Sequence, residues 1–159
     1  MKRVLIFITI ALFAVVVSST LQAQGSPLVG TWKLNLTKSK YDPGPAPKSL
    51  TRTVVAEGEG VKYTFEGVGA DDKPLSYSFS VNFDGKDNPI MGSMPTGADT
   101  ISAKRTDATH YVATLKKGGK VIGTSKVTVS ADGKTTTVDA TGTNAAGVKT
   151  HDVQVYDKQ

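Results

Sequence analysis

From Leu28 onward the chain alternates apolar and polar side chains, and this period of two constrains the fold more than any other feature. Leu28, Gly30, Trp32, Leu34 and Leu36 share one face of an extended chain. Val29, Thr31, Lys33, Asn35 and Thr37 share the other. Such alternation marks a half-buried strand. Val61, Tyr63 and Phe65 alternate with Lys62, Thr64 and Glu66 in the same way. Tyr77, Phe79, Val81 and Phe83 alternate with Ser76, Ser78, Ser80 and Asn82. Further runs, rich in Thr and Val, cover 51–57, 88–92, 100–105, 109–116, 120–130, 134–142 and 148–156. β-branched residues suit a pleated surface. Between the runs stand turn signals such as Glu57-Gly58-Glu59-Gly60, Asp84-Gly85, Gly118-Gly119 and Asp132-Gly133. Asp-Gly and Gly-Gly supply the positive φ of tight hairpins. No segment after the first carries a helical stripe of the roughly 11 residues a helix needs. The pattern predicts an all-β domain, an antiparallel up-and-down barrel of about 8–10 strands whose closure would hide its edges.

The chain has no cysteine. Disulfides, iron–sulfur clusters, thiol catalysis and cysteine-ligated zinc are therefore excluded. The start of the chain reads as an address. Met1-Lys2-Arg3 is basic, Val4 to Val17 is apolar apart from Thr9, and Ser18-Ser19-Thr20-Leu21-Gln22-Ala23 is a small, polar exit. This order predicts a secretory signal over 1–23 and a working domain over 24–159, in the periplasm or secreted. The alternative, a retained anchor, has an apolar run short of the ~20 residues of a spanning helix. No stable membrane span is expected after cleavage. Removal of Lys2 and Arg3 takes two of the five net positive charges with it. With no aromatic interleaving among the remaining cations, a nucleic-acid partner is not expected.

Catalysis finds little support. His110 and His151 have no Cys, Asp, Glu or His at metal-ligand spacing. There is no Gly-x-Ser-x-Gly elbow and no phosphate-binding glycine loop. The expectation is no enzyme, no metal and no cofactor. The Asn35-Leu36-Thr37 glycosylation pattern is read as chance. Lys116-Lys117 and Lys120 form a basic hairpin, read as a solvated turn or as a contact for an anionic membrane surface. One loop stands apart: Tyr41-Asp42-Pro43-Gly44-Pro45-Ala46-Pro47-Lys48 cannot continue a ladder. It reads either as a stiff connector, the favoured reading, or as a rim over a barrel mouth.

Gly30-Thr31-Trp32 opens the first strand, followed by Lys33-Leu34, and the chain closes at Val155-Tyr156-Asp157-Lys158. With the meander of hairpins between them, these ends resemble the lipocalin and fatty-acid-binding-protein (calycin) superfamily. The chain is also similar to exported bacterial proteins of lipocalin-like type. The resemblance implies a barrel around a small hydrophobic or amphipathic molecule. Gly30 would let the backbone pass close to neighbours, and Trp32 would plug one barrel end. Intracellular members insert a helix–turn–helix after the first strand, where this chain has the proline loop. They also often carry Arg-x-Tyr on the last strand to grip a carboxylate. Here Gln154-Val155-Tyr156 keeps the tyrosine and not the arginine. Lipocalins cap the tryptophan with a basic residue, to which no position is assigned.

Two phases stay open in the sequence. Arg105 shares a face with Ile101 and Ala103, so it either turns inward toward an anionic head group or reaches solvent past the strand end, the favoured reading. On the last strand one face reads Val148, Thr150, Asp152, Gln154 and Tyr156, and the other Lys149, His151, Val153 and Val155. The first facing inward makes a polar cavity, and the second a plain core. The combined expectation is an exported binding protein whose ligand meets Trp32, Tyr63, Phe65, Tyr77, Phe79 and Tyr156, with Arg105 as anion contact. For Trp32, the single tryptophan, core is the favoured reading over ligand contact. The alternative is a filled barrel or sandwich with an envelope-structural or protein-interaction role.

Overall fold

The computed structural model describes residues 26–159, so the predicted signal over 1–23 lies outside the described residues. The described part is all β. Its strands are β1 (Gly30–Leu34), β2 (Lys40–Asp42), β3 (Ser49–Glu57), β4 (Gly60–Val68), β5 (Pro74–Val81) and β6 (Asn88–Pro89). They continue with β7 (Met91–Gly92), β8 (Thr100–Arg105), β9 (His110–Lys117), β10 (Lys120–Val129), β11 (Thr135–Thr143) and β12 (Lys149–Lys158). Every pairing is antiparallel, in the order β6-β8-β9-β10-β11-β12-β1-β3-β4-β5-β7, with β2 added beside β12. The first long strand therefore pairs with the last, and the meander wraps into a nearly closed barrel. The remaining gap runs between β5 with its short partner β7 and β8 with its short partner β6. At one end it is spanned by the Asp84–Lys104 bridge.

Turn chemistry sets the hairpins. Lys117 pairs with Lys120 across Gly118-Gly119, whose φ of +54° and +76° suits a two-residue loop of mirror-image twist. The run at 88–92, read from sequence as one strand, is split. Asn88–Pro89 pairs with β8 and Met91–Gly92 with β5, so the segment crosses the gap. The short β2 was not anticipated. It adds to β12 just before the prolines and anchors their loop.

The barrel has a packed floor and an open mouth. At the floor, Trp32 is fully buried and its indole N–H donates to the Leu28 carbonyl at 2.8 Å. Trp32 is in register with Lys158, whose Nζ stands 5.0 Å from the indole and reaches the Pro27 carbonyl at 3.3 Å. The basic cap that had no assigned position is thus Lys158. Gly30 makes room for it: at φ +137°, a Cβ there would lie 2.7 Å from the Lys158 Cε. The glycine of Gly-x-Trp serves the cap as well as the turn into the strand.

Candidate functional site

The interior above Trp32 has two unlike walls. On β4 and β5 the cross-strand pairs Phe65–Tyr77, stacked, and Tyr63–Phe79, tilted, pack at centroid distances of 4.5 and 5.1 Å. All four rings are buried. Opposite them, β8 to β11 turn small residues inward: Ala103, Ala113, Ser125, Gly123, Ala140 and Gly142. β10 bulges at Ile122, between the Val121 and Gly123 pairings. There Gly142 faces Gly123, and a Cβ on Gly142 would sit 2.6 Å from the Ile122 carbonyl oxygen. The small wall leaves a hollow of about 150 Å³ between itself and the rings.

The last strand settles its phase. Thr150, Asp152, Gln154 and Tyr156 line the hollow, so the polar face of β12 is the inner one. The same Thr150, Asp152 and Gln154, with Tyr77, Met94 and Thr96, also line a wider space of about 490 Å³ at the mouth. Pro43, Gly44, Pro45 and Pro47 form its rim. The proline loop is therefore a connector and a rim at once.

At the inner end lies a residue that sequence reasoning passed over. Arg52 of β3 is 2% exposed, and its guanidinium stands 4.4 Å from the Tyr156 ring, 5.3 Å from Trp32 and 5.9 Å from Tyr63. Its Nε and Nη2 have no hydrogen-bond partner, and no carboxylate pairs with it among the described residues. The three rings attract the cation through their quadrupoles, a contact worth about 2 kcal/mol when desolvated. They give its N–H groups no acceptor. The signal was legible: Leu50, Arg52 and Val54 share one phase, and both neighbours are core. This arginine also answers the missing Arg-x-Tyr. The side chain that reaches Tyr156 comes from β3, two strands away across the ladder β12-β1-β3.

The phenols around Arg52 are held neutral. Burial pushes Tyr156 up to about 12, against the opposing pull of Arg52. Burial also raises Tyr63 and Tyr77 well above the ordinary tyrosine value, and raises Tyr111. Tyr63 and Tyr111 share a hydroxyl–hydroxyl hydrogen bond of 3.0 Å, and the Tyr156 hydroxyl donates to Gln154 Oε1 at 2.8 Å. A guanidinium flanked by neutral O–H groups is an anion-receptive floor.

Of the sequence-predicted site residues, Tyr63, Phe65, Tyr77, Phe79 and Tyr156 line the hollow together. Trp32 does not; it lies at the floor beneath Arg52. Arg105 is exposed, with its guanidinium 4.5 Å from the Phe83 ring, and is not among the residues lining the hollow. Its strand ends there, and the side chain turns out over Phe83. The two histidines, read as solitary, each contact an aspartate at 2.9 Å on the surface, His110 with Asp107 and His151 with Asp139. No group of three or more potential metal ligands occurs among the described residues. Among the described residues no helix is long and apolar enough to cross a membrane.

Among solved structures, the chain superposes on the zebrafish ileal bile acid-binding protein complexed with cholic acid. The TM-score is 0.53 at 15% identity, over 84% of this chain and 100% of that one. The likeness is one of fold, an antiparallel up-and-down β-barrel. A redesigned β-barrel bound to DFHBI also aligns, with a TM-score of 0.46 at 14% identity over 83% of this chain and 99% of that one. No family model and no curated protein matches the chain.

Proposed function

We propose that this barrel is an exported, non-enzymatic binding protein for a small amphipathic molecule with an anionic group. The observation that carries the reading is Arg52, a buried cation with unpaired N–H groups at the inner end of a hollow lined by apolar rings. Burying a charge without partners is unfavourable, and a bound carboxylate would supply acceptors in bidentate geometry. The rings and the mouth space would hold the apolar body, since 490 Å³ lies within the ~300–1,000 Å³ range of ligand pockets. That the similar zebrafish protein was solved with cholic acid, an amphipathic acid, agrees with this chemistry.

Mass spectrometry of the native protein and calorimetric titration with medium-chain carboxylates test the reading. Binding of the acids, but not of the matching alcohols or alkanes, is the expected result. Failure of every acid to bind would return the molecule to the second reading, a filled barrel with a structural or interaction role. The small inner volume of about 150 Å³ favours that alternative.

A further inference from the structure

The inner face of β12 is a row of polar groups running from mouth to floor: Thr150, Asp152, Gln154 and Tyr156. Tyr156, at the inner end, lies against Arg52. Asp152, toward the outer end, is half-buried on the wall of both the hollow and the mouth space. Its Oδ1 accepts the Asp42 backbone N–H at 3.2 Å, and no lysine or arginine pairs with it among the described residues. Across the β2–β12 ladder it is in register with Tyr41. The Tyr41 hydroxyl is buried, has no partner among the described residues, and belongs to a residue lining the same mouth space. Desolvation raises the pKa of both groups, as expected where neither has found its complement.

Arg52 only donates hydrogen bonds, whereas an ionised Asp152 only accepts them. The two ends of the cavity are therefore chemically opposite. A strand rises about 3.2–3.4 Å per residue, so Asp152 and Tyr156 stand about 13 Å apart along β12. Tyr77, on the wall of both spaces, covers the interval with an apolar face.

Building on the anionic-ligand reading above, we infer that the ligand is bipolar: its anionic end meets Arg52, and a hydrogen-bond donor about 13 Å away, an ammonium or hydroxyl group, meets Asp152 and Tyr41. The arrangement fixes orientation as well as length, because the reversed ligand would set an anion against a carboxylate. A methyl-ended acid of the same length would cover Asp152 and leave it with no donor beyond the Asp42 backbone N–H.

The test compares decanoate with its ω-hydroxy and ω-amino derivatives by calorimetry, on the wild type and on the Asp152→Asn and Tyr41→Phe variants. The ω-amino acid is expected to bind the wild type about 10- to 100-fold tighter than decanoate, the factor a hydrogen bond to a charged group provides. In Asp152→Asn that preference disappears, because decanoate no longer covers an unpaired carboxylate and the ammonium no longer meets one. The uncharged amide keeps the acceptor for Asp42 and separates loss of charge from loss of fold. In Tyr41→Phe the ω-hydroxy acid loses its smaller advantage. Equal affinity of decanoate and the ω-amino acid for the wild type, or a preference that survives Asp152→Asn, overturns the bipolar inference and leaves the anionic-ligand reading standing. No binding of any of the three acids overturns both.

Discussion

The wall made by β4 and β5 and the wall made by β10 to β12 face the same interior but solve different problems. On the first, Tyr63, Phe65, Tyr77, Phe79 and Val81 are all buried, and the four rings pack against one another. On the second, Ser125, Ala140, Gly142, Thr150, Asp152 and Gln154 keep part of their surface open to the hollow. One wall concentrates apolar burial and hence stability. The other concedes packing so that space remains. A barrel with two aromatic walls would be filled, and one with two small-residue walls would lack a core.

The largest expected effect tests that division directly. Phe79→Ala should destabilise the protein by about 3–5 kcal/mol in urea unfolding, as truncation of a packed ring does. Ala140→Leu, on the opposite wall, should change stability by less than about 1 kcal/mol, because the added atoms enter the hollow. If it instead loses the 1–3 kcal/mol typical of overpacking, the two walls do not differ. Acid binding should be lost in Ala140→Leu in either case.

Gly142 sharpens the contrast from within the open wall. It lines the hollow, yet a Cβ would collide with the β10 backbone at the bulge. Gly142→Ala should therefore cost about 1–3 kcal/mol where Ala140→Leu costs little. Equal tolerance at both sites would show that β10 does not approach as closely as 2.6 Å.

Arg52 sits between the walls and belongs to neither. Arg52→Met keeps most of the volume, removes an unpaired buried charge and forfeits three cation–π contacts. These terms oppose one another, so the thermal midpoint should stay level or rise while acid binding vanishes. A loss of several kcal/mol in unfolding free energy would make Arg52 a structural residue instead of an anion contact.

How much of this was legible follows from the same contrast. The aromatic wall was plain in the sequence, because Tyr63, Phe65, Tyr77 and Phe79 alternate cleanly with polar residues. The small wall was not, since Ala, Gly, Ser and Thr suit either face of a sheet and only the ladder register decides. The phase of β12 stayed open for that reason. Arg105 and Arg52 pass the same phase test, but Arg105 ends its strand and Arg52 has Leu50 and Val54 on either side. Enclosure, more than phase, distinguishes a buried cation. The division of 88–92 depended on which edge each half met across the gap, a long-range fact that local pattern does not carry.

The smallest expected effect separates carboxylates at the turns from the one on the open wall. Asp107 accepts the backbone N–H groups of Thr109 at 2.8 Å and His110 at 2.9 Å, and also touches the His110 ring. The Thr109 backbone bond, followed by the His110 side chain, holds it down to about 2. A lowered carboxylate contributes stability above its unfolded value of 3.8, which is lost as pH falls through the folded value. Asp152 runs the other way. Desolvation raises it, so its contribution is present below 3.8 and lost as pH rises through the folded value. Thermal midpoints between about pH 2 and pH 6 should therefore shift oppositely in two isosteric variants. Asp107→Asn should lie below the wild type at the upper end and converge with it at the lower. Asp152→Asn should lie above the wild type at the upper end, with the gain shrinking as the acid protonates. A shift of the same sign in both would mean that Asp152 is solvated like a turn residue, and the open wall would then have lost the desolvation that distinguishes it from the surface.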